Sequence, residues 1–143
     1  MMPDQPRLAV LQRRRIRKTR APEVAAAWAH AGVAASVLSD LRHEELIDLI
    51  RGSGTRTLAV GSLQSIVADF GNGSDMLVII GWDIENEPAL LIRSAALARS
   101  GASLRTIYAE GFVVANQPTT RALIVEFEDA HFKADQVRLV PGG

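Results

Sequence analysis

Three carboxylates alternate through Asp83-Ile84-Glu85-Asn86-Glu87, directly after the apolar run Met76-Leu77-Val78-Ile79-Ile80-Gly81-Trp82. Oxygen ligands following a buried strand are the chemistry of a divalent-cation site. The same residues, just ahead of Pro88, also suit a solvated loop and a helix N-terminus, where the helix dipole favours negative charge without any ligand. A second set is basic: Arg13-Arg14-Arg15-Ile16-Arg17-Lys18, with Arg20 close behind. Cations at this density can neutralise phosphates and release their counterions. No aromatic residue is interleaved for base stacking, so such contact would run to the nucleic-acid backbone with little sequence selectivity. The competing reading is a solvated terminal tail.

Other chemistries find no support. His30, His43 and His131 share no metal-ligand spacing. No serine sits in a Gly-x-Ser-x-Gly elbow. Gly52-Ser53-Gly54 precedes a strand-like run, whereas a phosphate-cradling loop follows a strand and ends in Lys-Ser or Lys-Thr, so it reads as a linker. The chain has no cysteine, which removes disulfides, thiolate zinc sites and cysteine nucleophiles together. The expectation is a non-enzymatic protein with no catalytic residues, no metal and no cofactor.

The chain of 143 residues fits one domain with an appendage, and 48% hydrophobic residues suffice for a real core. Aromatics are only 5%, so aliphatic side chains must do most of the packing. Net charge is zero but unevenly placed: residues 1–20 carry seven basic residues against one acid, and the remainder carries nine against fifteen. A basic arm on an acidic body is a candidate polyanion contact, and it can equally fold back on its own domain. The apolar runs are far shorter than the ~20 residues that span a bilayer. No apolar region follows the basic N-terminus, so neither a secretory signal nor a membrane partner is expected, and the location expected is cytoplasmic.

The elements that must position these groups follow from periodicity. Leu8 to Leu11 suits a short strand or a helix start. Pro22 suits the first turn of a helix whose apolar face is Val24, Trp28, Ala31, Ala35 and Leu38, with a break possible at Gly32. Ser39 or Asp40 can cap a second helix carrying Leu46, Ile47 and Ile50. Thr57 to Val60 reads as a strand. Leu63, Ile66, Val67 and Phe70 read as a two-turn helix ended by Gly71-Asn72-Gly73. Met76 to Ile80 reads as a strand buried on both faces. Pro88 is expected to open a helix over 89–100, followed by a strand over 104–108, a loop or a short helix over 110–118 and a strand over 122–127. Leu123, Phe127, Ala130 and Ala134 also fit a helix, but the β-branched pair Ile124-Val125 weighs toward strand. A last strand is expected over 137–140.

In order and punctuation the stretch 45–130 resembles the fold shared by kink-turn RNA-binding ribosomal proteins and the third domain of eukaryotic-type peptide-chain release factors, including bacterial relatives. Gly61 takes the position of the glycine that ends the first strand. Leu77 to Asp83 takes the apolar strand, Asp83 to Pro88 the acidic loop, and Arg105 to Tyr108 with Leu123 to Glu126 the later strands. In the kink-turn branch the residues after the glycine read purine edges and meet phosphate. Here those positions are Ser62, Leu63, Gln64 and Val67. Leucine cannot hydrogen-bond a base and valine cannot neutralise a phosphate, so only Gln64 keeps a polar edge. The chain is closer to the release-factor-like branch, whose domain contacts ribosome or protein.

The resemblance implies an α/β fold: a small three-layer α/β/α sandwich with a mixed sheet. A basic flexible arm (1–20) and a helical segment (21–53) would precede the α/β domain (54–143). The function expected is RNA or ribosome association. The nucleic-acid contacts would be Arg13, Arg14, Arg15, Arg17, Lys18 and Arg20 on the arm, and Gly61, Ser62 and Gln64 on the rim. Phe112, Val113 and Val114 would form an apolar protein-partner patch in a loop. Residues 75–108 also resemble sugar-phosphate-binding sheets of the isomerase type, which makes a phosphosugar- or nucleotide-binding module the alternative, although the acidic loop would repel phosphate. A partner-neutralising protein of phage or toxin–antitoxin type is a third. A helix-turn-helix over Val24 to Leu41 would need a small residue where Trp28 stands, and its second helix offers Asp40 to the phosphates, so DNA is disfavoured.

Overall fold

The computed structural model describes residues 5–117 and 119–139, with side chains from Arg7 onward. Residues 1–4 of the leader and Val140 lie outside the described residues. In chain order the elements are α1 (Gln5–His30), β1 (Ser36–Val37), α2 (Asp40–Arg51), β2 (Arg56–Leu58), α3 (Leu63–Gly71), β3 (Met76–Gly81), β4 (Ala89–Arg93), α4 (Ser94–Arg99), α5 (Gly101–Ile107), β5 (Gly111–Asn116), β6 (Arg121–Glu128) and β7 (His131–Arg138).

The protein is an α/β fold with helices on both faces of one open seven-stranded sheet, ordered β1-β4-β3-β5-β6-β7-β2. Every pairing is antiparallel, where a mixed sheet was expected. The reason lies in the connections. The loop after β3 turns straight back into β4 rather than into a crossover helix, and α4 with α5 then carries the chain to β5 on the other side of β3.

Side chains alternate faithfully across the sheet, as the two-residue strand period requires. Leu77, Ile79, Leu90, Ile92, Phe112, Val114, Leu123 and Val125 face one core, which α3, α4 and α5 cover with Ile66, Val67, Phe70, Leu97 and Leu104. Val78, Ile80, Val113, Ala115, Ala122 and Ile124 face a second core, covered by Leu46 and Ile50 of α2. The first core carries a chain of tilted aromatic rings, Trp28–Tyr108–Phe112–Phe127, with centroid separations of 6.2, 6.0 and 5.9 Å. Such spacings favour aromatic contact beyond simple area burial.

The capping residues act as their types suggest. Ser39 caps α2 by accepting from Arg42 N, and Ser62 caps α3 by accepting from Ser65 N. Asp129 opens the two-residue β6–β7 turn at positive φ, which aspartate tolerates, and Arg105 clasps that turn by donating to the carbonyls of Asp129 and His131.

Strand β7 begins at His131 rather than at Val137, and within residues 89–116 three elements depart from expectation. Residues 89–93 are strand β4, not the first turns of a helix: Leu90 and Ile92 fill the first core while Ala89 and Leu91 face the second, a use of both faces that only a strand permits. Residues 104–107 are helical, with Leu104 and Tyr108 pointing into one core at i, i+4 spacing. Residues 111–116 are not a loop but central strand β5, buried throughout. Gly111 begins it at φ 136°, and a Cβ there would stand 2.2 Å from the Val125 carbonyl oxygen, so the backbones of β5 and β6 meet too closely for any other residue.

Candidate functional site

The leader is helix, not a flexible arm. α1 runs unbroken from Gln5 through Pro22 to His30, so Pro22 lies inside it rather than at its start. Proline supplies no N–H and leaves the Lys18 carbonyl without its helical donor. Gly32, at φ 82°, ends the segment. Residues 36–37 are strand, so the second helix of a helix-turn-helix is not formed there.

One face of α1 points toward the body from Val10 to Trp28. It carries Val10, Arg13, Arg14, Arg17, Arg20, Ala21, Val24 and Trp28, which recur at three- and four-residue spacing. The C-terminal part enters the first core, where Trp28 is fully buried and its indole Nε1–H donates to the Tyr108 hydroxyl at 3.0 Å. Burial pushes the Tyr108 phenol well above its ordinary range. The N-terminal part lies against α2, on the other side of the sheet, and is held by charge.

The acidic partners on the body are Glu85 and Glu87 of the loop singled out above, with Asp40 and Glu44 from α2. Arg14 grips Glu44 with two bonds, Nε to Oε2 at 2.8 Å and a terminal nitrogen to Oε1 at 2.6 Å. Arg17, with its side chain 5% exposed, donates to Asp40 and Glu44 at 3.1 Å and to the Glu85 carbonyl at 2.7 Å. Arg20 grips Glu87 in the same two-bonded way, at 3.0 and 2.7 Å. Glu85 is shared by Arg13 at 3.1 Å and by Arg51. The Arg14 hydrogen bond, reinforced by Arg17, draws the Glu44 carboxyl down from 4.5 to about 2.

These pairings redefine the expected sites. Asp83, Glu85 and Glu87 do follow a buried strand, but Glu85 and Glu87 are held by arginines, and Asp83 accepts from Asn86 at 2.9 Å. Among the described residues no group of His, Cys, Asp or Glu is placed to hold a metal ion. Of the six arm residues named as phosphate contacts, Arg13, Arg14, Arg17 and Arg20 are engaged internally, and Arg15 and Lys18 are exposed and form no ion pair among the described residues. Arg7 is exposed in the same way. Gly61, Ser62 and Gln64 are exposed at the start of α3, the helix covering the first core, whereas the N-terminal half of α1 lies on α2 over the second. The two expected halves of a nucleic-acid surface therefore sit on opposite faces of the sheet. Phe112, Val113 and Val114 are at most 4% exposed in the central strand, and a buried side chain cannot form a docking patch.

What the arrangement does create is a groove. Between α1 and the β1–α2 junction lies a cavity of about 480 Å³. Its walls are Ala21, Pro22 and Ala25 on the helix and Val37, Leu38, Pro88 and Ala89 opposite, and Lys18, Ser39, Asp40 and His43 supply polar groups. The small residues of α1 leave this space; larger side chains there would close it. His43 is 2% exposed, and its Nε2 lies 2.7 Å from the Ile84 carbonyl. Burial above all, with the nearby Arg17 charge, lowers its pKa below the ordinary value of 6.5. It is therefore neutral at pH 7, and the Nε2–H donates to Ile84.

Sequence reasoning missed this groove because its walls come from three separate segments. The one available signal was the continuation of the Val24–Trp28 stripe backward through Arg20, Arg17, Arg13 and Val10, which marks the arginines as inward-facing.

Comparison with family models, with curated proteins and with solved structures finds no match, and nothing in these comparisons links the chain to the kink-turn or release-factor fold. No helix among the described residues is long and apolar enough to cross a membrane.

Proposed function

We propose that this chain is a non-enzymatic binding protein that takes a small ligand, with an apolar body and one polar or anionic end, in the groove beneath α1. The observation that carries this reading is the groove itself. It is about 480 Å³, within the size range of small-molecule sites, and combines apolar walls with a few polar groups, among them the exposed Lys18 ammonium. The clustered carboxylates and arginines nearby engage one another, and of their atoms only Arg17 Nε is buried without a partner among the described residues, so they support the helix rather than offer reacting groups. The test is a thermal-shift and NMR titration with short aliphatic and aryl carboxylates and their amides, phosphosugars and nucleotides. At least one class should raise the melting temperature of the native chain and leave Ala25→Trp, which fills the groove, unmoved. No response in the native chain, or an equal response in the filled variant, overturns the reading.

A second reading retains RNA or ribosome association. The observation favouring it is that Arg7, Arg15 and Lys18 are exposed, form no ion pair among the described residues and are gathered within one side of α1. Three cations predict weak, sequence-tolerant binding to single-stranded RNA, with a log–log salt slope of about −2. Replacing all three by alanine should abolish it. A slope near −5 would instead mean that the internally paired arginines had been released.

A further inference from the structure

The sheet has two edges, and they are treated differently. The β1 edge is two residues long, and α1 packs alongside it. A covered, short edge cannot recruit another strand. Among the described residues the β2 edge pairs with β7 on one side only, and all three of its residues are exposed. Leu58 is 59% exposed and Val60, just beyond the strand, 87%. The run Arg56-Thr57-Leu58-Ala59-Val60 contains no proline, no glycine and one charge. These are the features that natural edges normally exclude.

The hydrogen-bond phase of this edge is defined. Ala59 N donates to the Ala134 carbonyl at 2.8 Å, and Thr57 stands opposite Gln136. In an antiparallel ladder alternate residues bond alternate sides. Thr57 and Ala59 therefore face β7, and Arg56 and Leu58 direct their N–H and C=O groups away from the sheet.

We propose that β2 pairs antiparallel with β2 of a second copy of this chain, about a two-fold axis at Leu58. This inference is independent of the groove. The register is self-complementary: Leu58 meets Leu58 of the other copy in a hydrogen-bonded pair, and Arg56 meets Val60. Each outward backbone group finds its complement, about six bonds in all. The exposed leucines cover one another, the arginine stem covers the valine, and no like charges stand directly opposite. An isologous contact of this kind closes on itself as a dimer and joins two sheets into one of fourteen strands.

Sedimentation equilibrium of the full chain tests it. The native protein should show a concentration-dependent monomer–dimer equilibrium. Leu58→Lys, which sets two ammonium groups opposite one another, should weaken it at least tenfold. Leu58→Pro should do the same while leaving the β7 ladder intact, because the N–H it removes points outward. Paired Leu58 Cα atoms would lie about 5.5 Å apart, within disulfide reach. Because the chain has no cysteine, Leu58→Cys should give a disulfide-linked dimer on mild oxidation and Glu128→Cys, at the far turn, should not. A native chain that stays monomeric at ~500 μM, or a dimer indifferent to Leu58→Lys and without preferential Leu58→Cys linkage, overturns the proposal.

Discussion

The two halves of α1 share one helix and one inward face, yet they are attached by different physics. From Ala21 on, the face is apolar, and Val24 and Trp28 enter the aromatic core. Before Ala21 the face is largely arginine, and attachment runs through Asp40, Glu44, Glu85 and Glu87. Burying Val24 and Trp28 removes apolar surface from water and is indifferent to salt and pH. Partly exposed ion pairs are screened by salt and depend on their carboxylates being ionised. A single element can thus be anchored firmly at one end and adjustably at the other, with the groove at the join.

The largest break in this comparison should come from Trp28→Ala. It empties a fully buried site and strands the Tyr108 hydroxyl, and it is expected to lower stability by about 3–5 kcal/mol in denaturant unfolding. Next is Arg17→Ala, which leaves Asp40 and Glu44 without their shared buried partner. It should lower stability by about 2–4 kcal/mol and raise amide exchange over 7–20 far more than over 23–30. Acid should reproduce part of that effect without mutation. Because the folded-state pKa of His43 is lowered, its contribution is complete above about pH 6.5 and falls away as pH drops below that value. The Glu44 carboxyl, held at about 2, contributes fully above its ordinary 4.5 and loses that contribution between 4.5 and about 2. Hydrogen exchange should therefore show the first half of α1 loosening below pH 6 while the Trp28 end stays protected. The smallest effect sharpens the same contrast: Arg15→Ala, on the outer side, should change stability by less than about 0.5 kcal/mol.

Much of the body is legible from local pattern. The α2 cap, the α3 helix, the strand expected over 76–80 and the strand expected over 122–127 follow from serine placement, helical periodicity and β-branched runs, because each is set by residues within a few positions of itself. The segment 89–116 is not. Ala89 to Arg93 and Gly111 to Asn116 become strands because β3 lies between them and offers both edges, and Gly101 to Ile107 becomes helix because it must bridge those strands over one core.

The groove has the same origin. Its walls lie far apart in the chain, so no local window contains it. On its own the sequence determined an α/β composition, the α2 cap, a cysteine-free chemistry and an unequal division of charge between leader and body. Whether that charge meets solvent or its own carboxylates was decided only by the fold. The arginines at 13, 14, 17 and 20 became internal partners because α1 brings their face against carboxylates as distant in the chain as Glu85 and Glu87, and Coulomb attraction acts on distance in space, not in sequence.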